Sequence, residues 1–506
     1  MFRKLLHKGA EKLAQMTAPR TTEIQWFERK IAHWLGSKYR QSQLNGELYY
    51  LGFHDILNRK REAIGADGNL IEIGNLPNEK IVDNLYATAL DMKNSYLLSQ
   101  EPVFVTENED FQKELDKIIN ADFLDTLTDL GECSLTGGVG YLYVYYDEEG
   151  HLRFRVFPAH SILPFYTNDN RKELEYVVRY YEEEPKKSLN DEVIKHIEIY
   201  TPQGIDNYIL VGNKLFVDRE NPHTDYMVKD DKAYTWSDTI PIIPFKYNNK
   251  ELPLLNRCKS IQDAINKITS DFCNNMGEDV RNTVLILENY DGENLGEFRQ
   301  NLMAYGAVKV KSESGANGDV RALRIEVDAN NYNIILSLLK QSLFRNCRAC
   351  DTENLELDGS PNSLQMRGIY QLMDMDANKT IVKYKWALEK LFWFVKSHLK
   401  ATGKGDYIDE KIKVVFNKDM LVNEQEIMTS LTNAGVRIPN LLMLEQIPWI
   451  NDPKKAQEMI EEEDRKLLDP LDPYKKIGSG GKGVSSNKPK VNTNSAETRL
   501  TGGNTK

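Results

Sequence analysis

The chain opens on a helical period. Ile24, Phe27, Ile31, Trp34 and Leu35 recur at three- and four-residue steps, and the spacing predicts helix over residues 22 to 66, ending in the basic cluster Arg59, Lys60 and Arg61. A second helix is expected from Pro77, whose fixed backbone suits a first turn, with Ile81, Leu85, Ala89 and Met92 on one face. From residue 139 the period becomes two. YLYVYY and LRFRVF flank the turn Asp147-Glu148-Glu149-Gly150, which predicts a hairpin with Leu152, Phe154 and Val156 opposite Arg153 and Arg155. Strands follow at 176–181, 196–200, 207–211 and 214–218, giving one antiparallel sheet over roughly 139 to 245.

Ile261, Ile265, Ile268, Phe272 and Met276 then form a narrow apolar seam suited to packing on neighbouring helices. Strand-like stretches at 283–289 and 307–311 flank an amphipathic segment near 293–304, and VRALRIEV closes this small insert. A partner helix carries Ile334, Ile335, Leu338, Leu339 and Leu343 and ends near Arg348. Residues 351–363 show neither period and read as a loop. The strongest helical signal runs from 364 to 400, about 55 Å at 1.5 Å per residue. A bend is expected at Met373, Asp374, Met375 and Asp376. A strand at 411–416 and two or three helices between 423 and 467 complete the folded part. No internal repeat is present.

The 506 residues and 58.2 kDa exceed what one core usually serves, and 41% hydrophobic with 28% charged residues excludes a wholly disordered or collagen-like chain. Net charge is -11 with pI about 5.5. Residues 471 to 506 carry seven Lys/Arg against two acids, a net +5, which leaves -16 on the rest. That balance argues against wholesale phosphate neutralisation. The tail, GSGGKGVSSNKPKVNTNSAET, has almost no large apolar residues and reads as a disordered tether. No stretch approaches the roughly 18 apolar residues of a spanning helix, and the five cysteines make no disulfide framework, so a reducing, cytoplasmic site of synthesis is expected.

Motifs for chemistry are missing. No P-loop exists, and Gly137-Gly138-Val139-Gly140 precedes a strand instead of following one, so it reads as a tight structural turn. Cys347 and Cys350 have the spacing of half a zinc site, without a second pair to complete it. The eight histidines form no HExxH, and no GxSxG elbow appears. Glu461-Glu462-Glu463-Asp464 reads as a solvated helix face, and Leu391-Phe392-Trp393-Phe394-Val395 as core or subunit interface. No catalytic residue, metal or cofactor is expected.

The order of the segments resembles the portal proteins of tailed double-stranded DNA phages, of the siphophage type, over roughly residues 40 to 467. The residues that carry it are Tyr49-Tyr50-Leu51-Gly52 with Ile56 and Arg59, then Leu76-Pro77-Asn78 with Ile81 to Asn84, and Asp91 to Leu97. The Gly140-Tyr141 hairpin, Arg179-Tyr180-Tyr181, Ile240 to Phe245, Ile261 to Asn266 with Ser270-Asp271, Asn423 to Glu426, Ala434-Gly435-Val436 and Ile447-Pro448 follow in order. Pro361 to Gln365, and Arg437 to Asn440, depart from the usual pattern.

The resemblance implies an α+β portal fold. Residues 1–250 would be a wing of helices and antiparallel sheet, 251–282 and 328–350 the two stem helices, and 283–327 a small α/β clip. Residues 351–363 would be a tunnel loop, 364–418 a long kinked helix with a strand returning to the wing, and 419–467 a helical crown, leaving 468–506 as the basic tail. Stem packing falls to Ile261, Ile265, Ile268, Phe272, Ile335 and Leu339, and the channel's narrowest part to Thr352, Glu353, Asn354, Leu355, Glu356, Leu357, Asp358, Gly359, Ser360, Pro361 and Asn362. About twelve subunits would close a ring at one capsid vertex. Helices about 9 Å apart leave a bore of roughly 24 Å, enough for a DNA duplex.

Such a conduit lets DNA slide without sticking, and an acidic body with Glu353, Glu356 and Asp358 in the loop suits weak contact. The implied partners are further copies of the chain, double-stranded DNA, capsid and scaffolding proteins, the packaging terminase ATPase and a head-tail connector, with no membrane. The implied location is the virion, after assembly in the host cytoplasm. Two other classes compete: a nucleic-acid-processing enzyme with a site hidden in the sheet, and a zinc-dependent module built on Cys347 and Cys350.

Overall fold

The structure is a computed structural model. It describes residues 22–64, 69–72, 77–169, 171–184, 193–229, 232–237, 239–278, 284–288, 312–313, 316–317, 319–323, 329–351, 363–417, 444, 450 and 453–468. The chain divides into two compact units, residues 1–426 and 427–506.

The first unit begins with α1 (Thr22–Leu35) and α2 (Lys38–Tyr50), so the single helix expected over 22–66 is broken twice. Ser37 interrupts it by turning extended, its hydroxyl accepting from Arg40 N at 3.2 Å as an N-cap. After Tyr50 the chain leaves the helix at Gly52, whose φ of 88° suits glycine. A two-stranded ribbon, Glu62–Ile64 with Leu70–Glu72, occupies the remainder. The helix expected from Pro77 begins only at Leu85: residues 77–84 are extended, and Asn84 caps α3 (Leu85–Leu98) by accepting from Ala87 N at 3.1 Å. Local preference at Pro77 yields to tertiary contacts described below.

Two helices not assigned from the sequence follow, α4 (Glu109–Ile118) and α5 (Ala121–Gly137), capped by Asn108 and Asn120. The expected single sheet is split, among the described residues, into two larger sheets and a two-stranded ribbon of Met227–Lys229 with Lys232–Tyr234. In the first, β1 (Val139–Tyr146) lies between β2 (Leu152–Pro158) and β8 (Ile242–Lys246). The second runs β7-β6-β5-β4-β3 in space, from β3 (Ile162–Tyr166), β4 (Leu174–Glu183), β5 (Ile194–Tyr200), β6 (Ile205–Val211) and β7 (Lys214–Val217), with His223–Thr224 also on β6. The hairpin is as the alternation requires, with Tyr143 opposite Arg155 and Val144 opposite Phe154.

The rest of the unit is α6 (Lys259–Glu278), a ribbon of Val284–Glu288 with Asp319–Leu323, a second short ribbon of Ser312–Glu313 with Ala316–Asn317, α7 (Ala329–Cys347) and α8 (Ser363–Ala401). The stretches 293–304 and 307–311 lie outside the described residues. Helix α8 is uninterrupted through Met373–Asp376, where the sequence places a bend, and both Met373 and Asp376 are buried. Its aromatic run is core: Leu391, Phe392, Phe394 and Val395 are buried with Phe104, Phe123 and Trp236. The strand Lys413–Val415 pairs with Val103–Val105. In the second unit α9 (Pro453–Leu468) carries the acidic run 461–464 on its exposed surface. The crown expected over 419–467 otherwise falls mostly outside the described residues, as does the whole basic tail.

Three cores hold these elements. The largest lies between α3, α5, the first sheet and α8; a second joins α2, α3, α6 and α7; a third packs α1 on the second sheet through Phe27 and Ile31. Where α5 turns into β1, Gly138 takes φ 82°, and a Cβ there would stand 2.3 Å from the carbonyl carbon of Glu251. Glu251 is itself fully buried and holds Lys246 at 2.8 Å and Arg171 at 3.1 Å. We therefore expect Gly138→Ala to lower unfolding stability by about 3 kcal/mol, from strained backbone plus displacement of that ion cluster, read by urea unfolding.

Candidate functional site

The two helices expected to act as a stem form a hairpin base. Ile265 is fully buried beside Leu343, Phe344 and Cys347, Ile261 and Leu339 pack on that cluster, and Phe272 meets Tyr332 with ring centroids 4.6 Å apart. Ile268 is half-buried. Ile335 faces outward at 47% exposed, together with Ile334 at 59% and Leu338 at 60%. The tunnel-loop residues Thr352 to Asn362 lie outside the described residues.

The polar residues of α6 hold the largest surprise. Gln262, Asn266, Ser270 and Asn274 recur every fourth position and are all buried. Against them lies the extended strap 77–84, running antiparallel to the helix. Glu79 N donates to Asn274 Oδ1 at 2.7 Å, Ile81 N to Ser270 Oγ at 2.9 Å, and Asp83 N to Asn266 Oδ1 at 3.1 Å. At the end of the series Tyr86 N donates to Gln262 Oε1 at 3.0 Å, and Gln262 Nε2 returns a bond to Asp83 O at 2.6 Å. The match has a metric reason. Four helical residues rise about 6.0 Å and two extended residues about 6.6 Å, so every second strap amide meets every fourth α6 side chain.

Residues 49–59 grip the same helix from another side. Tyr49 OH donates to Asp263 at 2.7 Å, Lys259 bridges Asp263 at 2.8 Å and Asp55 at 2.5 Å, and Arg59 pairs with Asp271. Asn84 Nδ2 joins the two grips by donating to Tyr49 O and Tyr50 O. His54 is stacked on Tyr49 and buried. Because Asn266 Oδ1 already accepts from Asp83 N and Gln262 Nε2, its Nδ2 must face His54 Nδ1 at 2.7 Å as donor. The ring is therefore neutral, with Nε2–H donating to Tyr49 O at 2.9 Å.

The C-terminal end of α7 is tied to α8 by one carboxylate. Asp376 accepts from Lys93 of α3 at 2.7 Å, Tyr247 OH at 2.6 Å and Arg348 at 2.6 Å, with the Lys93 and Asp376 side chains 6% and 8% exposed. Burial alone would raise this carboxyl, but Lys93, Tyr247 and Arg348 outweigh it and hold it below the usual carboxylate range. Burial also pulls the Lys93 ammonium below its ordinary value, partly offset by Asp376. Neither group is placed to act on a substrate. Four elements meet here, and the carboxylate fixes their relative position.

Other candidate chemistry disperses. Cys347 packs in the stem core against Cys258, whose thiol that contact and burial push far up, whereas Cys350 belongs to the separate main core and is also raised by burial. Cys347 and Cys350 thus belong to two different cores and do not converge on one site. Among the described residues, Asp147, Glu149 and His151 could share a cation in the hairpin turn, yet Asp147 already accepts from His151 N at 2.7 Å and Arg153 Nε at 2.9 Å. No helix among the described residues is long and apolar enough to cross a membrane.

Two outcomes are expected of this site. Removing Asn266, which satisfies three neighbours, should cost more than removing Ser270, which satisfies one: about 3 kcal/mol for Asn266→Ala against about 1 kcal/mol for Ser270→Ala in urea unfolding. Burial holds His54 below its ordinary value of about 6.5, so the unfolded chain takes up the proton first. The stability this neutral ring contributes is complete above about pH 6.5 and is lost as pH falls from there toward the depressed folded value. Stability measured from pH 8 to 5 should show that acid limb, and His54→Gln should flatten it.

Residues 30–467 match the family described as phage portal protein, SPP1 Gp6-like. The portal protein of Bacillus phage SPP1 is 27% identical over 426 residues, 83% of each chain. That of Clostridium phage phiCD119 is 25% identical over 438 residues, 84% of this chain and 93% of that one. A chain in the neck of an empty gene transfer agent particle is a looser likeness, with TM-score 0.38, 10% identity and coverage of 71% of this chain and 88% of that one. The strap, the hairpin helices and the two sheets all lie inside the matched span, which also sets aside the enzyme reading: the chain belongs to the phage portal protein family, whose members are structural components of the capsid and not enzymes.

Proposed function

We propose that this chain closes into a ring of about twelve copies at one capsid vertex, with α6 and α7 as the stem around a channel for DNA. The observation that carries this is the outer face of the hairpin and of α8. Ile334, Ile335 and Leu338 on α7, and Val382 on α8 at 70% exposed, leave large apolar side chains uncovered in a lone subunit. Such a face marks an association surface, and a ring supplies the cover by placing each copy against the next.

In this reading residues 1–250 with 364–418 form the wing, 283–327 the clip and 419–467 the crown. The loop 351–363 lines the narrowest part of the channel. The acidic body keeps contact with DNA weak, so the duplex passes in packaging and again in ejection without sequence-specific grip. The terminase ATPase would dock on the clip side and the connector would follow it, and capsid and scaffolding proteins would surround the wing. Assembly would take place in the host cytoplasm and end in the virion.

Native mass and end-on images of the purified chain test the proposal. A particle of about 0.7 MDa with a central hole is the expected result, and a persistent 58.2 kDa monomer across salt and concentration would sink it. Leu338→Asp with Val382→Asp should move most of the mass to the monomer while leaving the unfolding midpoint of that monomer unchanged, because both side chains are exposed within the subunit.

A further inference from the structure

Copies that each carry -16 outside the tail repel one another unless the surfaces they bring together differ in sign. Two surfaces of the first unit do differ. On α8, Lys383 donates to Asn249 Oδ1 and Lys390 to the Lys172 carbonyl at 2.5 Å, so both ammonium groups are bonded to neutral oxygens and not to carboxylates. Lys379 stands exposed one turn before Lys383. Burial first, and then repulsion by Lys246, holds Lys383 and Lys390 below the ordinary lysine range, with Glu173 offsetting part of it at Lys390. The neighbouring carboxylate Glu251 is already committed to Lys246 and Arg171.

The acidic surface lies on α3 and α5. Among the described residues no Lys or Arg forms an ion pair with Asp91, Asp125, Asp129 or Glu132. Tyr50 OH stands 2.8 Å from Asp91 Oδ1 and 3.2 Å from Glu132 Oε2, and its single proton serves one of them at a time. Burial pushes the Glu132 carboxyl up, and Asp129, Asp91 and Glu47 add to this against the bond from Tyr50. The two surfaces look away from each other. Ser134 of α5 and Tyr384 of α8 meet at 2.6 Å between the helices. At about 100° per residue, Asp125, Asp129 and Glu132 lie within about 40° of the direction opposite Ser134, while Lys379, Lys383 and Lys390 lie about 100° to 140° round from Tyr384. A closed ring needs such a pair, because head-to-tail contact joins two different surfaces on opposite flanks of each copy.

We propose that the lysine face of α8 docks on the acidic face of α3 and α5 in the next copy. This rests on the ring reading above and names the surfaces that close it. Val382, exposed beside Lys379 and Lys383, carries the lysine face into the apolar patch already described, so charge sets register and direction round the ring while apolar contact supplies area. A phosphate backbone laid on the same face would meet the lysines and gain nothing from Val382.

Mass photometry of the full-length chain at one fixed concentration and low salt tests this. Lys379→Glu with Lys383→Glu, and separately Asp125→Lys with Asp129→Lys, should each cut the ring fraction about tenfold, because like charges then face each other. The milder Lys379→Gln with Lys383→Gln should cut it about threefold. Mixing the two reversed variants one to one should restore rings, since every contact in an alternating ring again joins unlike charges. Glu109→Lys with Asp110→Lys, at the start of α4, should assemble like the unaltered chain and should not rescue the Lys379 and Lys383 reversal. Rescue by that α4 variant would mean general attraction between unlike bodies and overturn the proposal. So would failure of the mixture to assemble while melting midpoints match, or binding of a DNA duplex that the Lys379 and Lys383 reversal loses with its ring intact. An unaltered chain that stays monomeric overturns both the ring and this contact, whereas rings built by both reversed variants as readily as by the unaltered chain overturn this contact alone.

Discussion

An extended segment laid along a helix has no neighbouring strand to answer its amides, and a buried amide without an acceptor costs about as much as several good packing contacts. The strap 77–84 faces that constraint beside α6, and the helix meets it with side chains: Asn266, Ser270 and Asn274 stand where carbonyls of a sheet would stand. Much else is arranged around this. Asn84 ends the strap by capping α3 and by binding the carbonyls of Tyr49 and Tyr50, which places α2, and Tyr49 and His54 return to α6. The hairpin base is therefore gripped along its length by polar contacts that are specific in register, and apolar packing through Ile265 supplies the less directional remainder.

Asp376 does for the C-terminal end of α7 what the ladder does for α6. A buried carboxylate is tolerated only when its desolvation is answered, and here an ammonium, a guanidinium and a phenol from three other segments answer it. Breaking one partner leaves the others with uncompensated buried charge, so the geometry at this point resists small adjustments. The C-terminal end of α7, the buried face of α8 and α3 are held together there. The contrast with the outer face of α7 is informative. Side chains fixed by polar partners lie inward, while those left to apolar contact with another surface, Ile334, Ile335 and Leu338, lie outward.

The apolar period made much of this legible. The hairpin at 139–158, the strands of the second sheet, and helices α6, α7 and α8 come out close to where alternation and three-to-four spacing place them. Gly138 is the structural turn its context suggests. The misses share a cause. Residues 77–84 have a residue at Pro77 that suits a helix start and an apolar series that continues into α3, so local signals favour helix; what decides against it is a partner nearly 200 residues away. Gln262, Asn266, Ser270 and Asn274 read as the wet side of an amphipathic helix because nothing in a single helix says that its polar stripe will be buried. The clue was their strict four-residue repeat in small amides and a hydroxyl, with no charge among them. Helices α4 and α5 are a different case: each is opened by an asparagine cap and carries apolar residues at helical spacing, Phe111, Leu115 and Ile118 in one and Phe123, Leu127 and Leu130 in the other, so both are legible from local signals and go unassigned all the same.

The same logic bears on how charge is used. A chain carrying -16 outside its tail could spread its acids evenly, yet the most deeply buried are each matched to cations, Asp376 to Lys93 and Arg348 and Glu251 to Lys246 and Arg171, and partly buried Glu198 and Asp271 pair with Arg179 and Arg59. The uncompensated excess is consequently on the surface, where it costs little in stability and acts at a distance. A field of that kind repels a DNA phosphate and attracts a basic protein segment equally well. One charge distribution therefore serves two ends: matched pairs fix the interior in register, and the surface excess sets which charged molecules are repelled and which are attracted at a distance.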